Sequence, residues 1–276
     1  MKNNILLLVV FIFLVGSGWL AYQRLVVKTP TPTAKTTLKV AGSGSAGFAL
    51  KNWTDYYQKK NPNIQFEFLP SADAAVGIRG VKEKTLDIGV ASRKAKPGEE
   101  FPEMVSTLFT KDAVAFAINK SMMGVKNLTG QQLADIYTGK ITNWQEVGGE
   151  KTEIIVVDRE EAESAKKLFR ELYLKDKKVA TDVVEVHSEA DVLSAVVTTP
   201  NSIGYLSYGR AKTADIVVLS VNSIEVEEGM REATYPLTRD YYIFTRTDNP
   251  KAVADFVVFL KEEGKSLAEK FFYFKP

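Results

Sequence analysis

A short glycine- and serine-rich stretch near the start of the chain could bind an anion. Residues 42–47 read Gly-Ser-Gly-Ser-Ala-Gly, between an apolar segment at 38–40 and an amphipathic run at 48–58. Glycine lets the backbone approach a ligand closely, serine hydroxyls donate hydrogen bonds, and a helix N-terminus offers unpaired N–H groups at the positive end of its dipole. A flexible surface turn has the same composition, so both interpretations stay open for this loop alone.

Further oxygen-bearing side chains follow the next predicted strands. Ser92 comes directly after a predicted buried strand at 86–91. Ser71 and Asp73 lie in the loop that follows the preceding predicted strand, 64–69. Strands and helices alternate over 38–91, which is typical of a mostly parallel sheet with helices on its faces. Because the carboxyl ends of parallel strands meet at one edge, we expect these loops to converge on one ligand site.

The rest of the chain continues the same alternation and predicts an α/β protein. Apolar or alternating segments predict strands at 38–40, 64–69, 86–91, 112–119, 154–157 and 202–206, and an extended run at 235–246. Helical spacing of apolar residues predicts helices at 48–58, 76–84, 128–137, 166–173 and 251–272.

Composition excludes several classes of function. The 276 residues contain no cysteine and one histidine, His187, so a disulfide framework, a thiolate site and a histidine-cluster metal site are ruled out. The formal net charge of +2 gives no basic field for nucleic acid. Nothing near His187 resembles an activated nucleophile, so we expect no enzyme activity and no cofactor.

The N-terminus is a predicted targeting segment. Lys2 precedes an uncharged run at 5–22, which is long enough to cross a bilayer and could equally be a cleaved signal peptide. Residues 29–33 alternate threonine and proline, which indicates a stiff linker. We therefore expect residues 1–36 to lie outside the folded unit and the remaining chain to be exported.

Four segments carry a resemblance to a known family. They are 42–45, 87–93, 128–144 and 202–205, and the part at 135–144 reads Asp-Ile-Tyr-Thr-Gly-Lys-Ile-Thr-Asn-Trp. In these segments the chain resembles the phosphate-binding proteins of ABC importers, which have a type II periplasmic binding-protein fold. The resemblance spans about residues 37–275.

The resemblance implies two α/β lobes with a ligand cleft between them. Each lobe would have a central, mostly parallel sheet flanked by helices. Residues 37–114 and 237–276 would form lobe I, and residues 115–236 would form lobe II. The chain would cross between the lobes near 112–116 and 235–242, and the lobes would close over the bound anion.

The resemblance also implies which residues bind the anion. Loop N–H groups, hydroxyls and one arginine would hold phosphate, through charge-assisted hydrogen bonds that are about twice as strong as neutral ones. Arg159 occupies the family's arginine position. The residues expected at the site are Ser43, Gly44, Ser45, Ala46, Asp73, Ala74, Ser92, Arg93, Arg159, Glu163, Ser164 and Ala165.

The second lobe departs from the family pattern at the helix start. The family reads Arg-Glu-x-Gly-Ser-Gly-Thr-Arg where residues 159–166 read Arg-Glu-Glu-Ala-Glu-Ser-Ala-Lys. Glu163 therefore replaces a phosphate-binding serine and Ala165 replaces a threonine, while Ser164 could supply a hydroxyl one position later. We expect Glu163 to face solvent as an acidic residue at a helix N-terminus.

The first lobe has two departures. Ala74 stands where the family has a serine, so that Ser71 or Asp73 would have to substitute. Arg93 stands where some members have an aspartate that accepts a proton from bound phosphate. An arginine attracts any oxyanion but accepts no proton.

We therefore expect an exported solute-binding protein for phosphate, or a related tetrahedral oxyanion, that serves an ABC permease. We expect a monomer, located in the periplasm or tethered to the outer face of the cytoplasmic membrane by residues 5–22. The alternative is a membrane-tethered sensory or scaffold module in which anion binding is weak or altered.

Overall fold

The computed structural model describes residues 35–70 and 72–276. The predicted leader at 5–22 and the predicted ligand donor Ser71 lie outside the described residues. No helix within the two described ranges is long and apolar enough to span a membrane.

Strands and helices alternate along the chain, as the sequence predicts. The strands are β1 (Thr36–Gly42), β2 (Ile64–Phe68), β3 (Ile88–Ala91), β4 (Met104–Ile118), β5 (Asn127–Leu128), β6 (Ile155–Arg159), β7 (Val184–Val186), β8 (Ser202–Ser207), β9 (Val217–Val218), β10 (Ser220–Val221) and β11 (Thr238–Arg246). The α-helices are α1 (Gly44–Lys60), α2 (Ala74–Lys82), α3 (Gly130–Tyr137), α4 (Ser164–Phe169), α5 (Glu189–Thr198), α6 (Tyr208–Ala211), α7 (Val226–Arg231), α8 (Lys251–Lys261) and α9 (Glu263–Ser266). A π-helical turn, Arg170–Leu174, continues α4, and short 3-10 turns lie at Lys120–Met122, Trp144–Val147 and Glu269–Phe271.

One mixed sheet runs through the protein. Its strand order is β2-β1-β3-β11-β4-β8-β6-β7, with β9 added beside β4. β1 pairs with β3 in parallel, and β6 pairs in parallel with both β7 and β8. β11 is antiparallel to β3 and β4, and β4 is antiparallel to β8. The predicted α/β architecture is confirmed, with parallel strands in the outer parts and antiparallel strands in the middle.

β4 joins the two halves of this sheet. Its residues Met104–Ala113 pair with β11, and Val114–Ile118 pair with β8. This change of partner falls within the crossing predicted at 112–116. The strand begins eight residues before the predicted start at 112. The prediction began too late because polar Ser106, Thr107 and Thr110 interrupt the apolar pattern of the strand.

The buried side chains form separate clusters. One cluster contains residues between Ala113 and Leu237. Each of the two others combines residues from the range 38–109 with residues from the range 241–273. The division of the chain into two moving lobes stays a prediction.

Candidate functional site

Three buried serines form the first side of the candidate site, which we call the serine wall (Ser43, Ser45 and Ser92). The Oγ atom of Ser43 lies 3.3 Å from the Oγ atoms of both Ser45 and Ser92. Each of the three side chains is less than a tenth exposed. The structure therefore brings together the two strand ends, β1 and β3, that the sequence predicted to converge.

Two glycines allow this approach of backbones. Gly42 has φ +134°, and a Cβ there would lie 2.1 Å from the carbonyl oxygen of Val90. A Cβ on Gly77 would lie 2.8 Å from the carbonyl oxygen of Ala41. The Ser43 N–H donates to the Val90 carbonyl at 3.0 Å, so the loop is fixed against β3. Only glycine fits where the backbone comes this close.

The serine wall also contains the start of α1. The helix begins at Gly44, and Ser43 at its N-cap uses its hydroxyl for the other serines, not for a cap bond within the described chain. Ala46 is fully buried in the first turn. The N–H groups of a first helical turn have no partner inside the helix, so they point toward whatever lies beyond its end.

The opposite side is formed at the end of β6 and the start of α4, and we call it the arginine wall (Arg159, Glu163 and Ser164). Arg159 is 3 % exposed. Its Nη2 lies 2.6 Å from Oε2 of Glu163. Within the described residues its Nε and Nη1 are buried and have no hydrogen-bond partner. Unpaired buried donors on a guanidinium are costly, so this group is well suited to receive an anion.

The prediction that Glu163 faces solvent is wrong. Glu163 is the N-cap residue of α4, and its carboxylate turns inward to Arg159, leaving the side chain 35 % exposed. A buried guanidinium attracts the nearest carboxylate more strongly than a helix N-terminus does. The family's serine position therefore holds an internal anion in this chain.

The next residues hold α4 in place. Ala165 is fully buried beside Ser164 in the first turn. Lys166, also buried, forms an ion pair with Asp158, and the Tyr205 hydroxyl donates to the same carboxylate at 2.7 Å. This pairing fixes the start of α4 to the end of β6, which is where Arg159 lies.

Sequence reasoning missed one central residue, Arg239 of β11. Its Nη1 donates to Ser45 Oγ at 3.3 Å and to Ser164 Oγ at 3.0 Å, so one nitrogen joins the serine wall to the arginine wall. Its Nη2 donates to Asp112 at 2.7 Å and to Glu189 at 3.3 Å. A usable signal was present: Arg239 and Asp112 are charged residues inside the two strands predicted to cross between the lobes.

Asp112 and Arg239 form a buried, hydrogen-bonded ion pair. Asp112 also accepts from Tyr241 at 2.6 Å and from Ser207 at 2.9 Å. Burial raises the pKa of Asp112, which the Arg239 guanidinium and the Tyr241 hydroxyl oppose. Burial tends to lower the pKa of Arg239, but nearby Tyr241, Asp112 and Glu189 outweigh it and raise that pKa above its ordinary value. Arg239 therefore stays charged.

Glu189, the first residue of α5, lies among three arginines. Its Oε1 is 3.3 Å from Arg239 Nη2 and 3.6 Å from Arg159 Nη1, and its Oε2 is 3.7 Å from Arg210 Nε. The guanidinium of Arg210 stacks 3.6 Å above the ring of Phe48. The sequence pattern predicts no helix at α5, and Glu189 is not among the predicted site residues.

The remaining predicted site residues have other partners. The carboxylate of Asp73 accepts from the Val76 N–H at 2.9 Å and caps α2, and Ala74 is buried in the first turn of that helix. Arg93 forms a two-pronged ion pair with Glu99, at 2.6 and 2.7 Å. The hydrogen bond from Arg93 lowers the pKa of Glu99 to about 2. Arg93 is thus already paired.

His187 is exposed and pairs with Glu160 at 2.5 Å. Among residues 35–70 and 72–276, no group of three histidine, cysteine, aspartate or glutamate side chains could hold a metal ion.

Comparison with known protein families identifies the superfamily of this chain. A profile described as a PBP superfamily domain matches residues 27–264, most of the chain. The chain belongs to the PBP superfamily. The predicted resemblance to phosphate-binding proteins is confirmed by the relatives of this PBP domain. A phosphate-binding protein PstS of Borreliella burgdorferi is 27% identical over 246 residues, which cover 84% of this chain and 88% of the relative.

Solved structures of similar PBP proteins lead to the same family. A structure from Clostridium perfringens, described as a phosphate ABC transporter substrate-binding protein with bound phosphate, aligns with a TM-score of 0.77 and 27% identity. It is covered completely and covers 87% of this chain. An ABC-type phosphate transport receptor from Vibrio cholerae aligns with a TM-score of 0.64 and 26% identity, covering 87% of this chain and 100% of the receptor.

Proposed function

We propose that this protein binds phosphate, or a related tetrahedral oxyanion, as the solute-binding protein of an ABC importer. The observation that supports it best is the buried Arg159 guanidinium, whose Nε and Nη1 have no hydrogen-bond partner within the described chain. Serine hydroxyls from two strand-to-helix loops lie around the neighbouring Arg239. Relatives with the same fold bind phosphate, and one is solved with it bound.

The arrangement suits an oxyanion because it combines two kinds of donor. Arg159 offers a positive charge and two buried donors, Nε and Nη1, that have no hydrogen-bond partner within the described chain. Ser92 offers a hydroxyl from the serine wall, and the first turns of α1 and α4 offer backbone N–H groups. A tetrahedral anion has oxygens in every direction, so it can contact both walls at once.

Contact with both walls is the proposed mechanism. An anion that binds both walls favours the conformation in which they are close, by as much as its contacts differ between the open and closed states. An ABC permease in the membrane would recognise that closed form. The protein itself transforms nothing, and the mechanism assigns no residue a catalytic role.

The proposed location follows from the same role. A binding protein for an importer acts outside the cytoplasmic membrane, so we propose that the chain is exported. Residues 5–22 would be the export signal or a tether to the outer face of that membrane.

Isothermal titration calorimetry of the full chain in mild detergent tests the binding. Phosphate, arsenate, sulfate, molybdate and tungstate are each titrated, and at least phosphate is expected to give heat and a single site. Arg159→Met should abolish the heat, while the matched variant Arg79→Met, on an exposed residue of α2, should retain it. No heat with any of the five anions at millimolar concentration contradicts the proposal.

One observation favours a second candidate, a membrane-tethered sensory or scaffold module with weak or altered anion binding. Glu163 already occupies part of the Arg159 guanidinium that an anion needs. Purification of membrane complexes with the full chain separates the two functions. Recovery of an ABC permease supports import, whereas recovery of a sensor kinase or an envelope protein supports the second candidate.

A further inference from the structure

We propose that Arg239 is a positioning residue of the anion site: it sets the direction in which the serine hydroxyls donate their protons. This inference rests on the proposed function, because the direction of a hydroxyl matters only if the site binds an anion. It adds a role for a residue that contacts the ligand only through others.

The direction of proton donation can be traced along the serine wall, one hydrogen bond at a time. Arg239 Nη1 can only donate, so Ser45 Oγ accepts from it at 3.3 Å. Ser43 donates its proton to Ser92 Oγ at 3.3 Å. A hydroxyl has a single proton, so Ser43 must accept from Ser45 across the third 3.3 Å contact. The chain therefore runs from Arg239 to Ser45, Ser43 and Ser92.

Ser92 is the last hydroxyl in this series of hydrogen bonds, and its proton is not used by the other serines. Its Oγ already accepts from Ser43, which leaves its own O–H to donate outward. A chain of hydrogen bonds that starts at a cation is polarised in one direction, and each bond strengthens the next. Ser92 thereby becomes a committed donor at the point where β3 ends.

The same nitrogen acts on the arginine wall. Ser164 Oγ accepts from Arg239 Nη1 at 3.0 Å, so the Ser164 proton is also left to donate elsewhere. Both walls then present hydroxyl donors, and the ligand oxygens that face Ser92 and Ser164 must be acceptors. This predicts an oxyanion that is unprotonated on those two oxygens.

Arg239 is held rigidly enough for this role. Its Nη2 is fixed by Asp112 at 2.7 Å and by Glu189 at 3.3 Å, and the residue is 5 % exposed. The guanidinium lies 5.3 Å from the ring centre of Tyr241, whose hydroxyl also donates to Asp112. Both terminal nitrogens are therefore engaged with the protein, and only Nε is buried without a hydrogen-bond partner within the described chain. Through Nη1, Arg239 acts on the ligand by way of the serines.

A double-mutant cycle on the full chain tests this role. The variants are Arg239→Lys, Ser45→Ala/Ser164→Ala and the combination of all three, each titrated with inorganic phosphate. Lysine keeps a cation opposite Asp112 but lacks the planar fork that reaches both serines. We expect Arg239→Lys to weaken phosphate binding about tenfold in the wild-type background and less than about twofold when both serines are alanine.

Thermal unfolding would show whether the Arg239→Lys variant folds. If it does not fold, a second pair of substitutions tests the same role. Asp112→Asn/Arg239→Gln removes both charges of the buried pair, so that no unpaired carboxylate of that pair remains. This double variant replaces Arg239→Lys in the cycle. We again expect phosphate binding to weaken about tenfold when both serines are present and less than about twofold when both are alanine.

Equal weakening in both serine backgrounds would mean that Arg239 acts by its charge alone, and would overturn the positioning role. Unchanged affinity in Arg239→Lys would overturn it as well. In both cases the wild-type protein still binds phosphate, so the proposed function stands. Absence of binding by the wild-type protein would remove both proposals.

Discussion

The serine wall and the arginine wall are built on the same pattern, a strand that feeds a helix through a polar turn, yet their chemistry differs. Ser43, Ser45 and Ser92 contact one another at 3.3 Å, a long distance for hydroxyls. Arg159 instead holds the Glu163 carboxylate at 2.6 Å. The serine wall is neutral and loosely bonded, whereas the arginine wall contains an anion of its own.

The difference shows how one turn pattern can serve two tasks. The hydroxyls of the serine wall carry no charge, so a ligand that binds there displaces no counter-ion. A guanidinium that is already paired must exchange a carboxylate for the ligand, so binding there is a competition. Four changes would break or sharpen this contrast.

The largest expected effect comes from Gly42→Ala, which breaks the serine wall. The new Cβ would lie 2.1 Å from the Val90 carbonyl oxygen, at a φ of +134°. Backbone strain and the forced shift together should lower the free energy of unfolding by about 3 to 4 kcal/mol. Urea unfolding measures the loss.

Gly98→Ala is the matched control for that substitution. Gly98 also has positive φ, +86°, but no atom lies within 4 Å of its Cβ position. Its cost should be about 1 kcal/mol. Equal losses for the two variants would show that the close approach to β3 contributes nothing.

The next effect comes from Arg159→Met, which removes the cation of the arginine wall. Hydrogen bonds to charged groups contribute about 1.5–3 kcal/mol each, so phosphate affinity should fall about a hundredfold or more. Calorimetric titration gives the ratio. A loss below about threefold would place the anion elsewhere.

A smaller effect in the opposite direction comes from Glu163→Gln. Removal of the competing negative charge should tighten phosphate binding about tenfold. The affinity of Glu161→Gln, on an exposed residue of the same turn, should change less than about twofold. Weaker binding by Glu163→Gln would indicate that this carboxylate accepts a proton from the ligand.

The smallest effect concerns the second arginine–glutamate pair, Arg93 and Glu99, beside the serine wall. The pKa of Glu99 is about 2, below its ordinary 4.5, so its ionised form stabilises the fold above about pH 4.5. That contribution is lost as the pH falls from about 4.5 toward about 2. Glu99→Gln should remove about 1 kcal/mol of stability near pH 7 and almost none near pH 2.

Urea unfolding at several pH values measures this prediction. The exposed Glu67 of β2 supplies the control variant, Glu67→Gln, whose stability should follow the wild type at every pH. A loss in Glu99→Gln that is the same at both ends of the range would argue against an ionised pair.

Local patterns were enough to predict the serine wall. The Gly-Ser stretch, the apolar run before it and the helical spacing after it placed β1, the loop and α1 close to their observed positions. Each of those signals acts within a few residues. The convergence of Ser43 with Ser92 followed from the geometry of parallel strands.

Arg239 and Glu189 could not be predicted in the same way. Arg239 pairs with Asp112 across 127 positions of sequence, and its contact with Ser45 spans 194. α5 is only ten residues long, and a capping box of Ser188 and Asp191 marks its start instead of an apolar run, so neither that helix nor its first residue was predicted. The direction of Glu163 depends on the buried Arg159 with which it pairs, and only the folded chain reveals that contact.

β4 runs unbroken from its ladder with β11 into its ladder with β8. Relative rotation of the two halves would then bend and twist a hydrogen-bonded ribbon. This ribbon has a bulge in β4, where Phe109 is the extra residue between Leu108, opposite Tyr242, and Thr110, opposite Tyr241. A closing motion of the two halves would therefore have to be absorbed by a continuous strand and not by a flexible loop.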